Sequence, residues 1–150
     1  AVKVECNGKN YKIIKSIVDI GIPVMGHIGH TPQYSKKFKP QGVLKKDRDK
    51  LLEQANKNQE AGAFSLVLEC ISELTTKKIT KKLKIPTIGI GSSVNCDGQI
   101  LVTDDMLGLS GFYPRFVRKF ANLNNVIEIG IKEYKKAVLN KNFPNKKNIF

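Results

Sequence analysis

Cysteine is scarce in this chain, and motifs that identify many nucleotide-binding and hydrolytic enzymes are missing. The 150 residues include three cysteines, Cys6, Cys70 and Cys96, and no Cys-x-x-Cys pair. An odd count without that spacing supports neither a disulfide framework nor a zinc ribbon, so we expect reduced thiols. The sequence also shows no GxGxxG motif, no P-loop and no Ser-His-Asp arrangement. Dinucleotide binding, P-loop chemistry and triad hydrolysis are therefore not indicated.

Long apolar runs are absent as well. No stretch approaches the ~20 residues that a membrane-spanning helix needs, and nothing resembling a signal or transit peptide comes before the first strand-like run at Val2. We therefore expect a cytoplasmic protein without a membrane partner. A chain of 150 residues with 41% hydrophobic content is long enough for one ordinary core.

Acidic residues are half as frequent as basic ones. Asp and Glu total 13 against 26 Lys and Arg, which gives a net charge of +13. Such an excess can indicate a nucleic-acid partner, but Lys greatly outnumbers Arg and the basic pairs are scattered over nearly every predicted helix and loop. A solvated surface is the favoured interpretation, so we expect no specific nucleic-acid partner. The pairs include Lys36-Lys37, Lys45-Lys46, Lys77-Lys78, Lys81-Lys82, Lys135-Lys136 and Lys146-Lys147.

Five short apolar runs each end at a polar or glycine-rich point. They are rich in Val, Ile and Leu and alternate with helix-like stretches, which is typical of buried parallel strands in βα repeats. Ligands of such folds gather beyond the carboxyl ends of the strands. Five repeats favour part of a (β/α)8 barrel, with an open doubly wound sheet as the alternative, and we expect the chain to be cut short at its N-terminus. The runs cover residues 2–5, 23–27, 64–69, 87–92 and 100–104, the last overlapping a predicted strand at 98–102.

The intervening stretches predict helices and two loops of interest. Isoleucines at spacings of three and four indicate an amphipathic helix within residues 8–20, and Asp47 is expected to cap a helix that ends near Ala61. The segment 26–46 is a long loop after a strand, and such loops are usually functional. A second loop, Gly91-Ser92-Ser93, offers backbone amides to an anion. Further helices are predicted at 72–83, 114–120 and 126–139, and a polar tail at 140–150.

Glu5, His27 and Glu69 stand at strand ends and are the candidates for chemistry. Lys3 precedes Glu5 by two residues, so the strand period places both side chains on one side of the strand. Glu69 ends an otherwise apolar run, a setting that disfavours the charged carboxylate and suits a general base. Carboxylates also suit Mg²⁺, which takes only one or two of them from a protein. The alternative for each glutamate is a salt bridge to a neighbouring lysine.

Three other polar residues receive simpler interpretations. His30 is expected to be only a loop residue, and Asp104 and Asp105 are expected to cap the turn that follows them. By the same standard, His27 on pattern alone is more often a supporting hydrogen-bonding group than a metal ligand.

The order and spacing of several motifs resemble the ketopantoate hydroxymethyltransferase family nearly from end to end. The resemblance implies a (β/α)8 TIM barrel to which this chain contributes roughly strands four to eight and the C-terminal helices. Residues 1–139 would then be the C-terminal portion of one barrel domain, followed by the tail. The motifs are Val2-Lys3-Val4-Glu5, Pro23-Val24-Met25-Gly26-His27-Ile28-Gly29, Thr31-Pro32-Gln33, Leu66-Val67-Leu68-Glu69-Cys70, Ile85-Pro86-Thr87-Ile88-Gly89-Ile90-Gly91 and Asp97-Gly98-Gln99-Ile100-Leu101-Val102.

The resemblance also implies an activity and a set of roles. Family members use Mg²⁺ and 5,10-methylenetetrahydrofolate to convert 3-methyl-2-oxobutanoate to ketopantoate in pantothenate and coenzyme A biosynthesis, and they form homo-oligomers, commonly decamers. Glu5 is then a metal-site carboxylate, Lys3 binds the keto acid, Glu69 is the general base and His27 supports the site. Because the family's two aspartate metal-site residues have no counterpart here, we expect this chain alone to be inactive.

Departures from the family pattern and two other functions stay open. Cys6-Asn7 stands where relatives usually have Gly-Gly, His30 where an apolar residue is usual, and Gly91-Ser92-Ser93 where a Gly-Ala-Gly pattern is usual. One alternative function is a related Mg²⁺-dependent lyase or mutase barrel that acts on another 2-keto acid. The other is a noncatalytic, basic nucleic-acid-binding protein.

Overall fold

The strands of the sheet are all parallel and pair in the order in which they occur along the chain. The computed structural model describes residues 1–6, 8, 10–35 and 38–150, so Asn7, Lys9 and the Lys36-Lys37 pair lie outside the described residues. Within this part, five strands pair in the order β1-β2-β3-β4-β5. A doubly wound sheet reverses its strand order, whereas this sequential order is that of a repeated βα unit. The strands are β1 (Val2–Glu5), β2 (Val24–Gly29), β3 (Ser65–Glu69), β4 (Thr87–Ile90) and β5 (Gly98–Gln99).

Helices connect the first four strands, as parallel pairing requires. The first three helices each lie between two consecutive strands, and the last two follow the sheet. The α/β class is therefore confirmed, with a five-stranded parallel sheet. The helices are α1 (Tyr11–Asp19), α2 (Lys45–Glu60), α3 (Glu73–Lys82), α4 (Thr103–Leu107) and α5 (Leu123–Leu139).

The predicted helices up to residue 83 are present with small shifts at their ends. Helix α3 runs between an N-cap at Ser72 and a C-cap at Leu83, as predicted. Helix α2 begins two residues before Asp47, with Leu44 as its N-cap, so the predicted cap is wrong. Asp47 lies in the first turn instead, where a carboxylate is stabilised by the positive end of the helix dipole.

Between residues 100 and 120 the predictions fail. Strand β5 covers only Gly98–Gln99, and after Ile100 N donates to Gly89 O at 3.0 Å the chain leaves the sheet. Asp104 and Asp105 fall inside the first turn of α4, without a side-chain cap bond, so the predicted strand 100–104 and the predicted caps are both wrong. The Asp-Asp pair favours the start of a helix through the dipole.

The helix predicted at 114–120 does not form. This segment instead consists of turns and bends, with Val117 N donating to Pro114 O at 2.9 Å and Phe120 N donating to Met106 O at 2.8 Å. Bonds to a distant carbonyl replace the regular helical ladder there. The helix predicted at 126–139 is present as α5 and starts three residues earlier.

The core lies between the sheet and helices α1 to α3. Every residue of β3 is buried, as expected for a parallel strand covered on both faces. The predicted apolar face of α1 is only half correct, because Ile14 is fully buried whereas Ile13 and Ile20 are 54% and 73% exposed. The buried apolar residues with no accessible surface are Ile14, Val24, Ile28, Leu66, Leu68 and Ile79.

The chain divides into two compact units, Ala1–Ile100 and Leu101–Phe150. The whole sheet and every candidate site residue belong to the first unit. The expected boundary between a barrel portion at 1–139 and a tail at 140–150 stays a prediction. Among the described residues, no helix combines the length and the apolar character that crossing a membrane requires.

Asp97 links the loop before β5 to the start of β4. Its Oδ2 accepts bonds from Thr87 N at 2.8 Å and Thr87 Oγ1 at 2.9 Å, and these bonds lower the pKa of Asp97 below its ordinary value of 3.8. A carboxyl with a lowered pKa stabilises the fold above its ordinary pKa, and this contribution is lost as the pH falls through the folded value.

We therefore expect Asp97→Ala to lower the free energy of unfolding by about 1 kcal/mol at pH 7, because the buried Thr87 amide loses its acceptor. The difference from wild type should shrink as the pH falls below about 4. Urea unfolding at several pH values measures it, with Asp49→Ala on the exposed surface of α2 as a charge-matched control. If the difference in unfolding free energy between Asp97→Ala and wild type stayed the same at low pH, the bonds to the ionised Asp97 carboxylate would not be its cause.

Candidate active site

The sheet brings the four predicted site residues together around His27. In the strand register, Glu5 of β1 is opposite His27 of β2, and Gly29 of β2 is opposite Glu69 of β3. Parallel strands place their carboxyl ends at one edge, and alternation along each strand sends the four side chains to the same face. The site therefore follows directly from where the polar residues stand in their strands.

His27 contacts all three other side chains. Its Nδ1 lies 3.2 Å from Lys3 Nζ and 3.9 Å from Glu5 Oε1, and its Nε2 lies 3.1 Å from Glu69 Oε2. His27 is 1% exposed, and both glutamates are 7% exposed. The predicted placement of Lys3 and Glu5 on one side of β1 is confirmed by these contacts.

The contact with Lys3 fixes the tautomer of a neutral His27. A lysine ammonium only donates hydrogen bonds, so Nδ1 is the acceptor and the ring proton sits on Nε2. Nε2 is buried without a hydrogen-bond partner among the described residues, because the nearby Glu69 oxygen is close enough but is not aligned with the N–H. The site thus holds a buried donor that a small movement of Glu69, or a ligand oxygen, would satisfy.

Within the part of the chain that the structure describes, one carboxylate oxygen of Glu5 is anchored by a hydrogen bond. Its Oε2 accepts a bond from Gln33 N at 3.0 Å, while Oε1 faces His27. The carbonyl of Glu5 accepts from Asn10 Nδ2 at 3.0 Å, and the same amide group also donates to the Tyr34 hydroxyl at 3.1 Å. Gln33 and Asn10 were missed from the sequence, since neither a loop amide nor a side chain before a helix carries a periodic signal.

Glu69 is held at a strained turn of the backbone. The next residue, Cys70, has a φ of +53°, a conformation that costs a side-chain-bearing residue about 1–2 kcal/mol. Cys70 N donates to Ile90 O at 3.0 Å, and Cys70 O accepts from Gln41 N at 2.9 Å. His30 N donates to Glu69 O at 2.8 Å, so the chain around the glutamate is bonded on both sides.

The loop after β2 packs more tightly than the sequence suggested. His30 is 2% exposed, and its ring centroid lies 4.5 Å from that of Phe38. The expectation that His30 is only a loop residue is therefore incomplete. Gly42 O accepts from Ser72 Oγ at 2.8 Å and Thr75 Oγ1 at 2.7 Å, which joins the end of this loop to the start of α3.

The two cysteines beside the glutamates are unsuited to nucleophilic catalysis. Burial raises the pKa of Cys6 to about 11, despite a hydrogen bond with Asn58 that opposes the shift. Burial and, secondarily, the Glu69 carboxylate raise the pKa of Cys70 to about 11. Both thiols are protonated at neutral pH, which agrees with their interpretation as small buried residues.

A cavity of about 520 Å³ opens beside the strand ends. Its wall includes the buried Cys6 and Gln54 and the half-buried Gly29, and its exposed rim includes Lys39 and Lys50. Cys6 directly follows Glu5, and Gly29 is opposite Glu69 in the register, but none of the four site side chains lines the cavity. The cavity lies against α2, which contributes Leu51 and Gln54 to its wall. A volume in this range is that of a small-molecule pocket.

The described residues do not by themselves form a metal site. Among the described residues, no group of three or more His, Cys, Asp or Glu side chains is arranged to hold a metal ion. Glu5 offers one carboxylate oxygen beside a cation and an imidazole. Because Mg²⁺ keeps several waters and takes one or two protein carboxylates, this donor set fits a share of a magnesium site.

The comparisons with known proteins agree on one family. The family model for ketopantoate hydroxymethyltransferase matches residues 1–146. A 3-methyl-2-oxobutanoate hydroxymethyltransferase of Clostridium botulinum (strain 657 / Type Ba4) is 49% identical over 100% of this chain and 56% of its own length. The proteins of that name from Bdellovibrio bacteriovorus and Pelagibacter ubique are 47% and 43% identical, covering 98% and 100% of this chain and 57% and 58% of their own lengths.

The chain thus spans less than three fifths of the length of these curated relatives. The comparisons do not support the expectation that it is the C-terminal portion of such a protein, and the strand range four to eight is not confirmed either.

Proposed function

Because the chain belongs to the ketopantoate hydroxymethyltransferase family, we propose that the protein carrying it transfers a hydroxymethyl group to 3-methyl-2-oxobutanoate, giving ketopantoate. The one-carbon donor would be 5,10-methylenetetrahydrofolate. The observation that carries the proposal is the buried His27 within β2, which lies within 4 Å of the Lys3 ammonium and of the two carboxylates that end β1 and β3. That arrangement provides an anion contact, a metal-binding oxygen and a base in one place.

Glu69 is the proposed general base. It would take the proton from C3 of the keto acid, and the electrons of the broken C–H bond would pass to the 2-keto oxygen. C3 would then form a bond to the one-carbon unit of the donor, while water supplies the hydroxyl oxygen and tetrahydrofolate leaves. His27 would hold Glu69 through its Nε2 hydrogen, which has no other partner among the described residues.

Glu5 is the proposed metal carboxylate. A bound Mg²⁺ supplies polarisation of the 2-keto oxygen, which makes the C3 proton more acidic. The chain's own contribution is to hold Glu5 in place, since the Gln33 amide occupies one carboxylate oxygen and leaves the other toward the site. The remaining ligands would come from substrate, water and residues outside this chain.

Lys3 is the proposed contact for the substrate carboxylate. We expect Lys3→Met, which keeps the length of the side chain, to raise KM for the keto acid about 10–100-fold, because a charge-assisted bond is lost. Steady-state kinetics of the native polypeptide measures the change. Lys12→Met on the exposed side of α1 is the control, and an unchanged KM in Lys3→Met would remove Lys3 from this role.

Three further features complete the proposal. The sequential parallel sheet supports a partial (β/α)8 barrel, because βα repeats of this order close into barrels when continued. The cavity lined by Cys6 and Gly29 is proposed to hold a small molecule, on account of its volume. A homo-oligomer is proposed on family membership alone.

The function is tested by incubating the native polypeptide with 3-methyl-2-oxobutanoate, 5,10-methylenetetrahydrofolate and Mg²⁺, and measuring ketopantoate by mass spectrometry. We expect product from this mixture and none from residues 1–150 alone. Cleavage of other 2-keto acids without folate would favour a lyase, and a salt-resistant shift of nucleic acid would favour a nucleic-acid-binding protein. The names of the relatives favour neither alternative.

A further inference from the structure

We propose that Ser92 is a positioning residue for Glu69, and that its hydroxyl holds the end of β3 on both sides of that carboxylate. The inference rests on the proposed function, because that function makes Glu69 the base. The sequence predicts Ser92 to belong to an anion-binding loop, whereas its hydroxyl in the structure bonds the backbone next to Glu69.

The hydroxyl of Ser92 spans the turn that carries Glu69. Ser92 Oγ donates to Leu68 O at 2.6 Å and accepts from Ile71 N at 3.1 Å. Leu68 comes directly before Glu69, and Ile71 comes two residues after it. One side chain from the loop after β4 therefore bonds both ends of the segment 68–71, whose second residue, Glu69, is the proposed base.

This segment needs such support. Cys70 has a φ of +53°, which a non-glycine residue keeps only when its surroundings enforce it. Leu68 and Ile71 are 0% and 2% exposed, so water does not readily replace the bonds from Ser92. Without the hydroxyl, the Ile71 amide loses this acceptor in a buried place, and the turn can relax toward a less strained conformation. Glu69 would move with it.

Ser93 provides a matched comparison. Its hydroxyl accepts from Asn95 N at 3.2 Å and Asn95 Nδ2 at 2.8 Å, and its carbonyl accepts from Gln99 Nε2 at 2.7 Å. These bonds stay within the loop after β4 and strand β5, and the two of the hydroxyl do not reach β3. Ser93→Ala therefore removes a hydroxyl from the adjacent position without a bond to β3, and it controls for the loss of one serine in this loop.

The test uses Ser92→Ala, Ser92→Thr and Ser93→Ala in the native polypeptide. The first readout is the rate at which the C3 deuterium of the labelled keto acid exchanges with water, a step that needs the base and not the folate donor. We expect Ser92→Ala to lower this rate about tenfold with KM for the keto acid nearly unchanged, since small misplacement of a reacting group is costly. Ser92→Thr, which keeps the hydroxyl, should restore most of the rate, and Ser93→Ala should leave it unchanged.

The second readout is amide hydrogen exchange of the peptide that contains Ile71, which does not depend on activity. Faster exchange of the Ile71 amide in Ser92→Ala than in Ser93→Ala supports the proposal that Ser92 holds the end of β3. Equal protection of the Ile71 amide in the two variants overturns the proposal. An equal loss of C3 exchange in Ser92→Ala and Ser93→Ala also overturns it. So does a rate of C3 exchange in Ser92→Thr that is as low as in Ser92→Ala. If wild type catalyses no C3 exchange, the proposed function fails, while the Ile71 amide still decides whether Ser92 holds β3.

Discussion

Glu69→Gln should lose exchange of the C3 proton of 3-methyl-2-oxobutanoate almost completely. We expect a decrease of about 10²–10⁴-fold, the usual contribution of a positioned general base. Glutamine keeps the size of the side chain, and its amide oxygen can stay near His27 Nε2, which lies 3.1 Å from the present carboxylate without a hydrogen-bond partner among the described residues. What it cannot do is take up a proton, so the change removes the chemistry and leaves the packing of this 7% exposed position largely intact.

The measurement follows deuterium wash-out from the keto acid by NMR with the folate donor omitted. Binding of the keto acid, measured by calorimetry, should change little, because Lys3 and Glu5 are untouched. Glu73→Gln, an exposed glutamate in the first turn of α3, is the matched control and should exchange at the wild-type rate. Exchange in Glu69→Gln within a few-fold of wild type would remove Glu69 as the base.

The strand ends of this protein could be predicted from the sequence because parallel strands obey a simple rule. A buried strand is apolar along its whole length, so a Glu or His that interrupts it at the carboxyl side stands out. Glu5, His27 and Glu69 were found in this way, and the register brings them together as expected. The placement of Lys3 and Glu5 on one face of β1 follows from the two-residue period of side chains along a strand.

The supporting bonds could not be predicted, because they depend on backbone conformations without a periodic signal. Examples are the Gln33 amide on Glu5, the positive φ of Cys70 and the two bonds of Ser92. The predicted strand at 100–104 is wrong for a related reason. Its apolar run was long enough for a strand, but the two aspartates after Val102 favour the first turn of a helix, and that preference prevailed.

Gly29 is the position where the sheet leaves no room for a side chain. Its φ is +94°, and an added Cβ would lie 2.1 Å from the carbonyl oxygen of Glu69 and 2.8 Å from Ile71 Cγ1. The first obstacle is backbone of the neighbouring strand and cannot move aside as a side-chain end could. A methyl group here must push β2 and β3 apart at the point where Glu69 O accepts from His30 N.

We therefore expect Gly29→Ala to lower the free energy of unfolding by about 3 kcal/mol or more, from the unfavourable φ together with the displaced backbone. Gly21→Ala separates the two causes, because Gly21 has a similar φ of +84° but no atom of the described residues within 4 Å of an added Cβ. That control should lose only about 1 kcal/mol. Urea unfolding of the native polypeptide gives both values, and C3 proton exchange should fall in Gly29→Ala alone, because only this change displaces the backbone of the base. Equal destabilisation in the two variants would mean that the strands yield at little cost, and the close contact between Gly29 and Glu69 would then not be what fixes the base.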